Sequence, residues 1–209
     1  MKISIIVFAL ILLLSSCKSL DLDELNPKEK NKTLLPPLEP VYDIYRIDHH
    51  IDHRVDEANL SNQVINPYIN DDTRDRIAIF ESDVYDNITT PYGERRGSIH
   101  CIISSEEFEQ SPHLLFPSVL TLGLLNLLGL PYDIRYLSMD VKVEIYDLDR
   151  NLVGRYSAQC RKKTLVAFYY GYYFKTADRK NNIQAFKCAM NDIKEQINTD
   201  AERLIKALN

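Results

Sequence analysis

The sequence predicts an α+β fold, a mostly antiparallel sheet packed by an internal helix and a long C-terminal helix, and three stretches carry that prediction. Residues 135–146 alternate strictly, with Leu137, Met139, Val141, Val143 and Ile145 set against Ser138, Asp140, Lys142 and Glu144. That period of two belongs to a strand with one buried and one wet face. Residues 147–151 are turn formers, and 152–160 return with Leu152, Tyr156, Ala158 and Cys160 on one side, which makes a hairpin. From residue 177 to 208, Ile183, Phe186, Met190, Ile193, Ile197, Leu204 and Leu208 recur three, four or seven apart. Such a stripe belongs to a long helix packed across the sheet.

Taken in order, the chain opens on Met1 and Lys2, followed by an apolar run from residue 3 to 14 broken only by Ser4, and then Ser15, Ser16 and Cys17. A positive start, a run of about 12 apolar residues against the ~20 that span a bilayer, and small residues at the break are the marks of a removable targeting segment. Leu14, Ser15, Ser16 and Cys17 resemble the lipobox of bacterial lipoproteins position by position. The resemblance implies that residues 1–16 are a signal peptide and that Cys17 is lipidated on sulfur as the mature N-terminus. Each buried CH₂ of such a lipid contributes ~0.8 kcal/mol, so an acylated cysteine holds a domain on a membrane without a protein span. Lys18 follows where Asp would signal retention at the inner membrane, so the resemblance implies the outer membrane. Asp21, Asp23 and Glu24 look like the acidic stretches of surface-exported lipoproteins, and the leaflet stays open.

Residues 17–40 are polar and punctuated by Pro36, Pro37 and Pro40, the composition of an extended, flexible tether. A single domain is then expected over 41–209. Residues 41–55 alternate through Tyr45, Ile47, Ile51 and Val55 and predict an edge strand. Residues 73–89 predict a helix on Ile77, Phe80, Val84 and Ile88, ended by Pro91 and Gly93. Residues 98–104 predict a short strand, with Ile99, Cys101 and Ile103 on one face.

Residues 114–132 are nineteen positions without a charge. Pro117 and Pro131 bracket a helix of only ~20 Å against a hydrocarbon core of ~30 Å, which argues against a span. A buried helix or compact loop is the simpler expectation. The other is a segment that dips into lipid or covers a partner.

Removal of the first 16 of 209 residues leaves 193, enough for one domain with a substantial core. The mature chain would carry 24 basic and 30 acidic residues, and nowhere do the bases concentrate into a face for phosphates, so no nucleic acid is expected as a partner. With Cys17 assigned to lipid, three cysteines remain, and an odd number allows at most one internal bridge. Cys101 and Cys160 both fall on apolar strand faces and are candidates to lie adjacent. Three buried thiols are the equal alternative.

His49, His50 and His53, with Asp48, Asp52 and Asp56 among them, have the density to hold a transition metal. They lack the glutamate that follows the first histidine of the metalloprotease pattern. Asp147, Asp149 and Asn151 begin like a calcium loop, but Leu152 stands where its glycine is needed. No cofactor is implied. An aromatic cluster, Phe168, Tyr169, Tyr170, Tyr172, Tyr173 and Phe174, suits packing or a contact surface beside Lys162, Lys163 and Lys175.

The order of elements is similar to that of small envelope lipoproteins of uncharacterised families that act as assembly or scaffold factors. The expectation is a non-enzymatic envelope lipoprotein that binds a protein or lipid partner. Contact would run through residues 114–130, with Leu120 and Leu124 foremost, or through Tyr169, Tyr170, Tyr172 and Tyr173. The alternative is a metal-dependent hydrolase built on His49, His50 and His53.

Overall fold

The alternating stretch at residues 135–146 forms one of the two inner strands of a four-stranded sheet. The computed structural model describes residues 31–43, 71–127, 130–167 and 171–209. Its strands are β1 (Glu39–Tyr42), β2 (Gly97–Gln110), β3 (Asp133–Asp147) and β4 (Leu152–Val166), in the order β1-β2-β3-β4. β1 runs parallel to β2, and the other neighbours are antiparallel. The helices are α1 (Asp71–Asp83), the short α2 (Leu115–Leu120) and α3 (Leu124–Leu127), the long α4 (Phe174–Thr199) and α5 (Ala201–Leu208). This is the expected α+β class, with α1 and α4 on one face of the sheet.

Every apolar residue of the predicted β3 face is buried, as are Ile99, Cys101 and Ile103 of β2 and Tyr156 and Cys160 of β4. Against them lie Ile183, Phe186, Met190, Ile193 and Ile197 of α4, and Ile79 and Phe80 of α1. Leu152, expected on the same side, is exposed at the mouth of the hairpin. The turn before it is the expected one: Asp147 accepts hydrogen bonds from the Asn151 backbone at 2.8 Å and side chain at 3.0 Å.

Several boundaries move. β2 continues well past residue 104 because a bulge between Ile103 and Ser105 shifts its register on β3. The bulge exchanges the two faces, and the strict alternation that the sequence shows ends there. α1 begins at Asp71 and runs into a π-helical turn, Val84–Ile88, closed by the Thr89 N–H donating to the Val84 carbonyl at 2.9 Å. The single helix expected over 177–208 is two. Asp200 interrupts it, its carboxylate accepting hydrogen bonds from Tyr156 Oη at 2.6 Å and Arg203 Nε at 2.9 Å.

The expected tether gives way to folded chain earlier than Pro40. Leu35 and Leu38 are buried, the Leu35 N–H donates to the Ile88 carbonyl at 2.9 Å, and β1 already starts at Glu39. Of the edge strand expected over 41–55, residues 44–55 lie outside the described residues.

The cysteine pairing also differs. Cys160 bridges Cys188 of α4, with Cα atoms 6.0 Å apart, and Cys101 is the buried free thiol. Cys101 and Cys160 share a face, but β3 stands between their strands, so the partner of Cys160 is the helix above it.

Candidate functional site

The helical layer is tied down at both ends, and among the described residues the end away from the β3–β4 hairpin carries the larger group of exposed apolar side chains. At the hairpin end Arg203 donates to the Val153 carbonyl at 2.8 Å, and Lys194 of α4 meets Asp83 at 2.8 Å with both side chains almost fully buried. The chain enters here, where the Asn31 N–H donates to the Asn87 carbonyl and the Thr33 N–H to Asn198 Oδ1. At the opposite end Asn181 accepts from Thr164 Oγ1 at 2.7 Å and donates to the Arg135 carbonyl at 2.9 Å. The Arg135 guanidinium lies 2.7 Å from Asp133 and 5.1 Å above the Phe174 ring. Burial raises the carboxyl of Asp178 above its ordinary value, against the opposing pull of Arg135.

This second end gathers both stretches that the sequence singled out for contact. The Ser111 N–H donates to the Ile134 carbonyl, the Tyr132 N–H to the Val166 carbonyl and the Tyr172 N–H to the Leu165 carbonyl. The uncharged connection from β2 to β3 and the aromatic connection from β4 to α4 thus leave the sheet side by side. The connection holds α2 and α3 and buries Ser118 and Asn126, but it is not a buried helix, because most of its described large apolar side chains face outward. Phe116 is 73 % exposed, Val119 71 %, Leu120 74 %, Leu122 93 % and Leu124 62 %. Tyr173, at 78 %, and Phe174 stand exposed beside them. Tyr172 is half-buried, its hydroxyl accepting from Lys180 at 2.6 Å. Tyr169 and Tyr170 lie outside the described residues.

The turn at the tip is unusual for its residue type. The Gly123 N–H returns to the Ser118 carbonyl at 2.8 Å and the Leu122 N–H to the Val119 carbonyl at 3.1 Å, the pair of bonds that ends a helix in a Schellman motif. The left-handed position of that motif normally belongs to glycine, but here Leu122 occupies it at φ 49°. A Cβ added at Gly123 would meet nothing within 4 Å, so the tip projects into open space. A leucine held against its backbone preference, with almost no contacts in return, does not serve the fold.

A second cluster lies between α1, α4 and β2. Glu106, turned toward the helices by the bulge, accepts from Arg76 Nη1 at 3.1 Å and Asn182 Nδ2 at 2.9 Å, and Arg179 grips Asp75 through two bonds of 2.6 and 2.9 Å. Tyr42 Oη, Arg76 Nε and Asn182 Oδ1 beside it have no hydrogen-bond partner among the described residues. Burial raises the Tyr42 hydroxyl and the Cys101 thiol, the latter leaving it inert as a nucleophile. No sequence signal marked this seam, since Asp75 and Arg76 read as a solvated helix face.

On the other face of the sheet, Ser98 Oγ and His100 Nε2 are 3.0 Å apart in an open cleft of about 650 Å³ that Asp43, Tyr146 and Arg150 also line. Both residues sit on one strand, two positions apart on the face away from the helices. His49, His50, His53 and Cys17 lie outside the described residues, and among the described ones no group of three or more His, Cys, Asp or Glu is placed to hold a metal. Among them, too, no helix is long and apolar enough to cross a membrane. No protein-family model matches the chain, and no curated protein does.

Proposed function

We propose that the protein is a non-enzymatic, lipid-anchored component of a bacterial outer membrane, held through Cys17, that docks onto a partner surface through the apolar tip. The observation that carries this is the convergence at one end of the sheet of the α2–α3 connection and the Tyr173–Phe174 pair, with large apolar side chains left in water. Soluble domains rarely leave such patches without a contact to make. Export is supported by the Cys160–Cys188 bridge, because disulfides persist in oxidising compartments and are rare in the cytosol.

The test is co-purification from envelopes with Cys17 intact, comparing the parent chain with Leu120→Asp/Leu124→Asp. Both side chains are more exposed than buried, so the variant is expected to fold with an unchanged circular dichroism spectrum and to lose whatever the parent retains. If the variant unfolds instead, the tip is core and the proposal falls.

A further inference from the structure

The proposed docking surface is graded in polarity, and the gradient identifies its partner. Outermost are Phe116, Val119, Leu120, Leu122 and Leu124, in a connection that from Ser111 to Tyr132 contains no Asp, Glu, Lys or Arg. Behind them comes a ring of tyrosines: Tyr132 and Tyr172 half-buried, Tyr173 exposed, and Tyr136, whose ring lies 4.9 Å under the Arg161 guanidinium. Beside these stand the exposed cations Lys163, the cross-strand partner of Tyr136, and Lys175; of the carboxylates at this end Asp133 and Asp178 face Arg135 and Glu109 pairs with Arg161, while Glu107, farther along β2, is exposed.

We infer that the tip enters the interface of a lipid bilayer, its leucines at the acyl boundary, its tyrosines at headgroup level and its lysines facing anionic headgroups. This rests on the docking role proposed above and names the surface docked on. The sequence of apolar, aromatic and basic layers is the one that membrane interfaces select. A protein partner would call for a different surface. Protein interfaces are built on shape-complementary pockets with a polar rim and about one hydrogen bond per 100–200 Å², and this tip exposes large apolar side chains on a connection bare of Asp, Glu, Lys and Arg. A fluid acyl boundary needs neither pocket nor register.

Leu122 gives the inference its sharpest expression. Glycine there would relax the left-handed backbone and remove the most exposed leucine, so Leu122→Gly should fold at least as well as the parent and bind lipid less. Together with Leu124→Ser, the loss in vesicle partitioning should be roughly tenfold to a hundredfold, the equivalent of leaving one or two leucines out of the apolar phase.

The chain contains no tryptophan, so a single substitution creates an unambiguous reporter. The full chain carrying Leu122→Trp is mixed with vesicles of phosphatidylcholine, with and without phosphatidylglycerol, made from acyl-brominated lipids. The expected result is blue-shifted, quenched emission from Trp at 122, stronger with the anionic lipid. The same reporter at Leu148→Trp, an exposed site in the hairpin turn at the far end of the sheet, should remain water-like whatever the N-terminus does. Unchanged emission at 122 overturns the lipid assignment. The docking proposal survives that outcome if a photo-crosslinker at 122 then captures an envelope protein. A concentration-dependent blue shift without lipid assigns the tip to a second copy of the chain and equally overturns it. Unfolding of Leu120→Asp/Leu124→Asp, by contrast, removes both readings.

Discussion

Breaking the Cys160–Cys188 bridge should cost the domain about 3.5 kcal/mol. The bond joins positions 28 residues apart, and closing a loop of that size in the unfolded chain removes entropy worth about 3.5 kcal/mol at 25 °C by the chain-entropy relation. In a domain of this length each kcal/mol moves the melting temperature by ~2–4 °C, so Cys160→Ala/Cys188→Ala should melt roughly 10 °C below the parent. With a urea slope of ~1–3 kcal/mol/M the midpoint falls by roughly 1–3 M. Most of the effect acts through the unfolded state, so the spectrum of the folded protein should hardly change. The assay is equilibrium urea unfolding of parent and variant, each with and without reductant. Reductant should carry the parent most of the way to the variant and leave the variant where it is. A maleimide mass tag applied to the unfolded, unreduced chain should label Cys101 and spare Cys188. Equal midpoints in all four samples, or a tag on Cys188, would refute the reasoning.

Four further outcomes follow from the same geometry. Lys194→Met should cost ~3–5 kcal/mol in urea titrations because it strands the buried Asp83 carboxylate, whereas adding Asp83→Leu should recover most of the loss. Asp200 is held below the ordinary carboxyl range by Arg203 first and Tyr156 second, so its contribution to stability is present above the unfolded value near ~3.9 and is lost as pH falls through the folded value. Asp200→Asn should therefore flatten the acid limb of the melting-temperature profile below about pH 4, and a parallel profile would count against that assignment. Leu120→Asp should change stability by under ~0.5 kcal/mol, while Phe186→Ala, emptied from the core, should cost ~3–5 kcal/mol by calorimetry. A Cβ at Gly97 would lie 2.0 Å from the Tyr146 carbonyl oxygen, so Gly97→Ala should lose at least ~1 kcal/mol, with amide exchange accelerated at that end of the β2–β3 ladder.

The hairpin and the C-terminal stripe were legible because each buries one continuous face, and burial writes its period into the residues. What the sequence hid were the places where that period slips or is shared. The bulge after Ile103 inverts the faces of β2, so Glu106 reads as a solvent residue and sits against Arg76 and Asn182 instead. In α1 the expected Ile77 is only half-buried, while Asp75, Arg76 and Asp83 are buried, because Arg179, Glu106 and Lys194 of other elements satisfy them. Pairings so distant leave no local pattern. Cys188 was missed as a partner because it borders the helical stripe, and the two strand cysteines offered the more obvious match. The tip lay half in view. Composition marked residues 114–132 as apolar, yet apolar runs are buried more often than shown, and only the geometry at Leu122 distinguishes the two.

The early burial of Leu35 and Leu38 bears on mechanics. A pull on the chain ahead of Asn31 reaches the domain through the backbone bonds of Asn31 to Asn87 and Leu35 to Ile88 before it loads β1. Two leucines seated in the core lie in that path, and the four-residue edge strand behind them is the shortest in the sheet. Both leucines would have to leave the core before the load reached β1. Failure of the sheet under such a load should then begin at β1, the four-residue edge strand, whereas the β2–β3–β4 meander is tied to α4 by the Cys160–Cys188 bridge.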